Sequence, residues 1–150
     1  MTTSKDPELR DRLAGLAAFL GVLQAPDFSF GTWSGGNKTP SGAIEMPYFN
    51  TSDEASRLIK TAYDLGWVLE DFNWPSWKDT DEAKRLLEPS ALGQATYDDL
   101  THLLTTLIRQ DRFVEGNLNW AFESGLLIGI LERADQLLSE LSSASPAKKK

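Results

Sequence analysis

The chain contains no cysteine, one histidine and two methionines in 150 residues. The missing thiols exclude disulfides, thiolate metal sites and a cysteine nucleophile, and they leave the redox compartment unspecified. The lone histidine, His102, stands beside Leu103 and Leu104 with no serine and aspartate at a spacing that reads as a triad. It is expected to be a surface or hydrogen-bonded histidine rather than a metal ligand, and no metal or other cofactor is signalled. No apolar run approaches the roughly 18–20 residues of a membrane span. Positive charge is scarce too: 15 Lys and Arg face 22 Asp and Glu, a net charge of −7. Phosphate backbones demand a basic surface, so nucleic acid is a disfavoured partner. Gly35-Gly36-Asn37-Lys38-Thr39 lacks the full spacing of a phosphate loop. The polar N-terminus carries no signal-peptide apolar region, and a cytoplasmic protein is the expectation.

What is present suits a soluble domain: 41% hydrophobic residues, 25% charged ones and five tryptophans. The expected organisation is a single helical domain over residues 1–143, followed by a disordered Lys-rich tail over 144–150. Its fold class is mainly α, a compact bundle of about five helices with a short extended or hairpin excursion near residues 26–50. Leu9, Leu13, Leu16, Leu20 and Leu23 mark one face of a first helix. Asp6-Pro7 is placed to start that helix and Ala25-Pro26 to end it. Phe28, Phe30 and Trp33 then alternate with small residues ahead of Gly35-Gly36, leading into 44–49. Trp33, among glycines and hydroxyls, is expected to be partly exposed.

Thr51-Ser52-Asp53-Glu54 fits a capping box, with the helix running to about Leu65 and Gly66 supplying its left-handed end. An aromatic connector follows, with Trp67, Phe72, Trp74 and Trp77. A short helix near 81–87 breaks at Pro89. Thr96-Tyr97-Asp98-Asp99 opens a core helix carrying Leu100, Leu103, Leu104, Leu107 and Ile108. The last helical segment carries Leu127, Leu131, Ala134, Leu138 and Leu141 as a seam, with a break expected at Gly125.

The densest group of chemically capable residues is 105–116. Arg109, Asp111, Arg112 and Glu115 fall at the end of the core helix, just before Gly116. If the helix continues to Phe113, then Thr105, Arg109 and Arg112 share one side. Two guanidiniums on one face bind a carboxylate or phosphate by paired hydrogen bonds, and Asp111 or Glu115 supplies a base. The same residues equally describe a salt-bridged joint in which Arg109 and Arg112 pair with Glu115, Glu123 or Glu132. Phe113 is read as core and Gly116 as a turn. Trp74 and Trp77 either wall a ligand pocket or pack an irregular connector.

Met46-Pro47-Tyr48, Phe72-Asn73-Trp74-Pro75, Thr106-x-x-Arg109-x-Asp111-Arg112-Phe113-x-x-Gly116 and Glu123-Ser124-Gly125, with Leu131-x-Arg133, together resemble a bacterial family of unknown function over roughly residues 46–134. The resemblance names a group and implies no activity. Two functions are therefore expected from the residues themselves. The first is a protein-interaction or regulatory domain, binding a protein partner or a second copy through an apolar patch on the excursion or the C-terminal seam. The second is a small-ligand or nucleotide-binding domain, with a hydrolase as the enzymatic form of that reading. It uses Arg109, Asp111, Arg112 and Glu115 on an anion, with Trp74 or Trp77 stacked on a ring.

Overall fold

The computed structural model describes the backbone of residues 5–44 and 46–148, and the side chains of 9–44, 46–88 and 90–141. Its elements in order are α1 (Lys5–Ala17), α2 (Leu20–Gln24), β1 (Gly31–Ser34), β2 (Tyr48–Thr51), α3 (Asp53–Asp64), α4 (Trp74–Trp77) and α5 (Asp81–Leu86). A 3-10 turn over Pro89–Gln94 follows, then α6 (Tyr97–Asp111), α7 (Asn117–Glu123) and α8 (Leu126–Lys148). The fold is mainly α with one antiparallel hairpin, β1 on β2, as the periodicity predicts.

The helices are more numerous and shorter than the five expected, for local reasons. The first helix is interrupted at Ala18–Phe19, where the Phe19 N–H turns to the Leu16 carbonyl at 3.1 Å in a 3-10 step. Helix α1 is already helical at Lys5, so Asp6 is not its cap. The capping box expected at Thr51 is displaced by one residue. Thr51 ends β2, and the Ser52 hydroxyl accepts from the Ala55 N–H instead. Gly66 and Gly125, at φ of +85° and +87°, stand just beyond α3 and α7 as the sequence suggested. The expected tail overlaps the end of α8, whose backbone is helical to Lys148, and Lys149 and Lys150 lie outside the described residues.

Helix α8 lies along α1 and also meets α2, α6, α7 and the 3-10 turn, so it forms the spine of the bundle. The core helix α6 buries Leu100, Leu103, Leu104, Leu107 and Ile108 on the expected face. A complete capping box fixes its start: the Asp99 N–H bonds the Thr96 hydroxyl, and the Asp99 carboxylate accepts the Thr96 N–H. Trp67 is fully buried, its indole N–H donating to the Arg12 carbonyl at 3.1 Å and its ring lying 4.9 Å from Tyr97. That contact joins the aromatic connector to α1 and α6 at once.

The excursion is anchored at its base by three phenylalanines. Phe28 and Phe30 pack on Phe122 of α7 at 5.2 and 5.6 Å. The hairpin therefore has a fixed position beside the α6–α7 turn.

Candidate functional site

Helix α6 ends at Asp111, and residues 112–116 turn the chain into α7. The Gln110 carbonyl accepts the N–H groups of both Phe113 and Val114, at 2.9 and 2.8 Å, which closes the turn tightly. Gly116 then adopts φ +88°, a left-handed conformation that suits glycine, and serves as the N-cap of α7. Its missing side chain matters twice, because the Trp33 ring of β1 occupies the space a Cβ would need.

The four charged residues here have different partners. The Asp111 carboxylate accepts the Leu118 N–H at 3.0 Å, with the Asn117 and Gly116 N–H groups also turned toward it. It thus supplies the capping oxygen that Gly116 cannot. Burial raises the Asp111 pKa above the ordinary carboxylate value. The N–H bonds from Leu118 and Asn117 oppose that shift, and the charge of Glu115 adds to it. Glu115 itself is exposed and accepts the Phe49 N–H of β2 at 2.7 Å. Phe49 and Trp33 are paired across the hairpin with their rings at 5.3 Å, so Glu115 and Gly116 together dock the hairpin onto the turn.

Arg109 is half-buried and donates to the Leu69 carbonyl at 3.3 Å. One helical turn earlier, the buried Thr105 hydroxyl donates to the Trp67 carbonyl and accepts the Leu69 N–H, both at 3.0 Å. Thr105 and Arg109 do share a side, and that side grips the 67–69 connector. Arg112 is exposed at the end of α6 and, among the described residues, its side chain has no ion pair or hydrogen bond. The structure thus brings Asp111 and Glu115 to one turn, and it turns Arg109 away from both. No ion pair links Arg109 or Arg112 to Glu115, Glu123 or Glu132 among the described residues. The arginine that ties α8 to another element is Arg133, whose Nε donates to the Ala95 carbonyl at 2.8 Å.

The aromatic residues also divide. Phe113, read as core, is 79% exposed, because α6 has ended and the helical stripe no longer decides where it points. Half-buried Trp74 lies 6.2 Å from the Phe113 ring. Trp77, also half-buried, lines a cleft of about 330 Å³ together with Leu87, Leu103, Gln110, Asn117 and Trp120. Behind it the His102 ring stacks on Phe72 at 4.2 Å and 8°, and meets Trp77 edge-on at 5.6 Å. His102 is half-buried and not fully bonded: its Nδ1 is buried and has no hydrogen-bond partner among the described residues.

The model of one protein family matches residues 8–140, which spans the bundle from α1 into α8. The chain belongs to this family of unknown function (DUF6508). No curated protein and no solved structure matches it.

For this DUF6508 chain, then, chemistry must be read from the residues alone. Among the described residues no group of three or more His, Asp or Glu side chains is placed to hold a metal ion, and no helix is long and apolar enough to cross a membrane. Between α5 and α6, the carboxyl groups of Glu82 and Asp99 stand together. Asp99 pushes the Glu82 pKa up, while at Asp99 burial pushes up and is outweighed by Thr96 and Glu82, which hold its pKa low. No sequence pattern signals this pair or the Arg133 bond to the Ala95 carbonyl, each of which joins two separate elements. The cleft has one advance signal, the aromatic richness around Trp77.

Proposed function

We propose that this chain is a protein-interaction domain, binding another polypeptide through the face formed by the hairpin and the α6–α7 turn. The observation that carries the reading is the exposure of large apolar side chains on that turn and the strand beside it. Phe113 is 79% exposed, Val114 51% and Trp33 52%. Single exposed apolar residues are ordinary, whereas grouped ones mark contact surfaces.

Two further features support it. The turn is fixed from four directions, by Asp111 on α7, Asn117 on the Leu107 carbonyl, Glu115 on β2 and Trp33 on Gly116. Such pre-organisation lowers the ordering cost of binding. Arg112 stands beside Phe113 with its guanidinium unused, and aromatic residues with arginine dominate binding hot spots. The partner this face suits presents aromatic or branched aliphatic anchors flanked by a carboxylate for Arg112.

Peptide-display selection on the full chain, with subtraction on an Arg112→Ser/Phe113→Ser double variant, tests the proposal. The expected result is enrichment of peptides that combine an aromatic or aliphatic anchor with Asp or Glu, and that shift the amide resonances of residues 112–114 and the Trp33 indole. Peptides that bind the double variant equally well would refute it. Sedimentation of the chain alone shows whether a second copy can be that partner.

A further inference from the structure

The cleft between α4, α5, α6 and α7 lies beside the proposed interaction face, and its composition points to a different kind of ligand. We infer that it is a binding site for a small one- or two-ring aromatic acid. The inference does not depend on the interaction face.

Size is the first argument. An apolar protein cavity of roughly 150 Å³ accepts benzene, and this cleft offers about 330 Å³. Small-molecule sites begin at about that volume, with apolar walls and a few convergent polar groups. Here Leu103 and its neighbours form the buried wall, and two indoles flank the opening. Trp77 is held in place by Phe72 at 5.9 Å and by His102 at 5.6 Å, so its ring is set before any ligand arrives. Trp120 is 48% exposed on α7, an indole left about half in water unless something covers it.

Charge is the second argument. In a chain of net charge −7, the lining holds one cation, Lys78, and no carboxylate among the described residues. The ion-pair partner of Lys78 is its chain neighbour Asp79, at 3.4 Å and with the carboxylate side chain 73% exposed. An adjacent, solvated pair of that kind competes weakly with a ligand anion. A cleft of one sign with low-dielectric walls concentrates the opposite sign. Polar specificity is available from Gln110, whose side chain has no hydrogen-bond partner among the described residues, and from the Asn117 Oδ1. The Asn117 amide nitrogen is already committed to the Leu107 carbonyl at 3.0 Å.

The test is an NMR titration of the full chain with indole-3-acetate and 1-naphthoate. The neutral 3-methylindole and the cationic tryptamine serve as comparison probes, read at the Trp77 and Trp120 indole N–H and the Gln110 and Asn117 side-chain amides. The expected result is saturable binding of both acids confined to these groups, with tryptamine weaker by roughly twofold to fivefold, the scale of one half-exposed ion pair. Lys78→Gln brings the acids down to the affinity of 3-methylindole, and Trp120→Ala, at an exposed position, weakens acids and neutral ring alike. Absence of saturable shifts overturns the inference. So does equal binding of acid and tryptamine, or acid binding that Lys78→Gln leaves unchanged.

Discussion

Replacing Asp111 separates what its oxygens do from what its charge does. In Asp111→Ala the acceptor that meets the Leu118 N–H at 3.0 Å is gone, and α7 has no other side-chain cap because its N-cap is Gly116. Loss of a capping group, with its part-buried N–H left stranded, costs about 1–2 kcal/mol in all. In a domain of this size each kcal/mol moves the melting temperature by roughly 2–4 °C, so a fall of about 2–8 °C is expected. Asp111→Asn keeps an oxygen for the same N–H and removes the charge. Burial holds the folded-state pKa of Asp111 above its ordinary value of 3.8, so between those two values the folded chain binds more protons than the unfolded one. The Asp111 contribution to stability is therefore fully present below the ordinary value and is lost as pH rises through the raised one. The asparagine variant lacks this loss, and its stability relative to the parent should climb as pH rises through that window. Thermal melts followed by far-UV circular dichroism measure the first effect, and urea unfolding at a series of pH values from about 3.5 to about 7 measures the second. An alanine variant that melts with the parent, or an asparagine variant as damaged as alanine, would refute the capping assignment.

Other substitutions test other joints. Thr105→Val removes the hydroxyl that bonds both the Trp67 carbonyl and the Leu69 N–H, and should cost about 2 kcal/mol in urea unfolding, while Thr105→Ser retains most of the stability. Gly116→Ala forces a Cβ into left-handed backbone and into the Trp33 ring, so a loss above about 1 kcal/mol is expected, with a red-shifted tryptophan emission as the hairpin lifts. His102→Phe replaces a buried, unpartnered Nδ1 with carbon while keeping the stack on Phe72. It should be neutral or stabilising by up to about 1 kcal/mol in thermal melts, and a clear loss would reveal a partner for that nitrogen.

The long elements were legible because their information is local. Leu100 to Ile108 repeat at helical spacing and all end up buried, and Thr96 with Asp99 supplies its own cap. The hairpin was legible from alternation, and the exposure of Trp33 from its small neighbours. Legibility failed wherever the deciding partner lies far along the chain. Helical spacing put Thr105 and Arg109 on one side, but the backbone they grip is 36 to 40 residues away. Glu115 finds its donor 66 residues back, on a strand that no spacing rule connects to it. Phe113 departs from its expected burial for a different reason: an apolar residue after an amphipathic stripe inherits the stripe's direction only while the helix lasts, and α6 stops two residues earlier.

Within residues 105–116 the fold takes up some groups and leaves others. Thr105, Arg109, Asp111, Glu115 and Gly116 each meet a backbone group or ring that would otherwise lack a partner or a place. A base at Asp111 would take up a proton on the carboxylate that caps α7, so a catalytic task there would weaken the acceptor that the Leu118 N–H relies on. Arg112 and Phe113 carry no such obligation. Variants at these two exposed positions should therefore melt within about 0.5 kcal/mol of the parent, measured by the same urea titration. If Arg112→Ser or Phe113→Ser instead unfolds the domain as Asp111→Ala is expected to, then these side chains serve the fold. The turn would then be a joint, with no contact surface to spare.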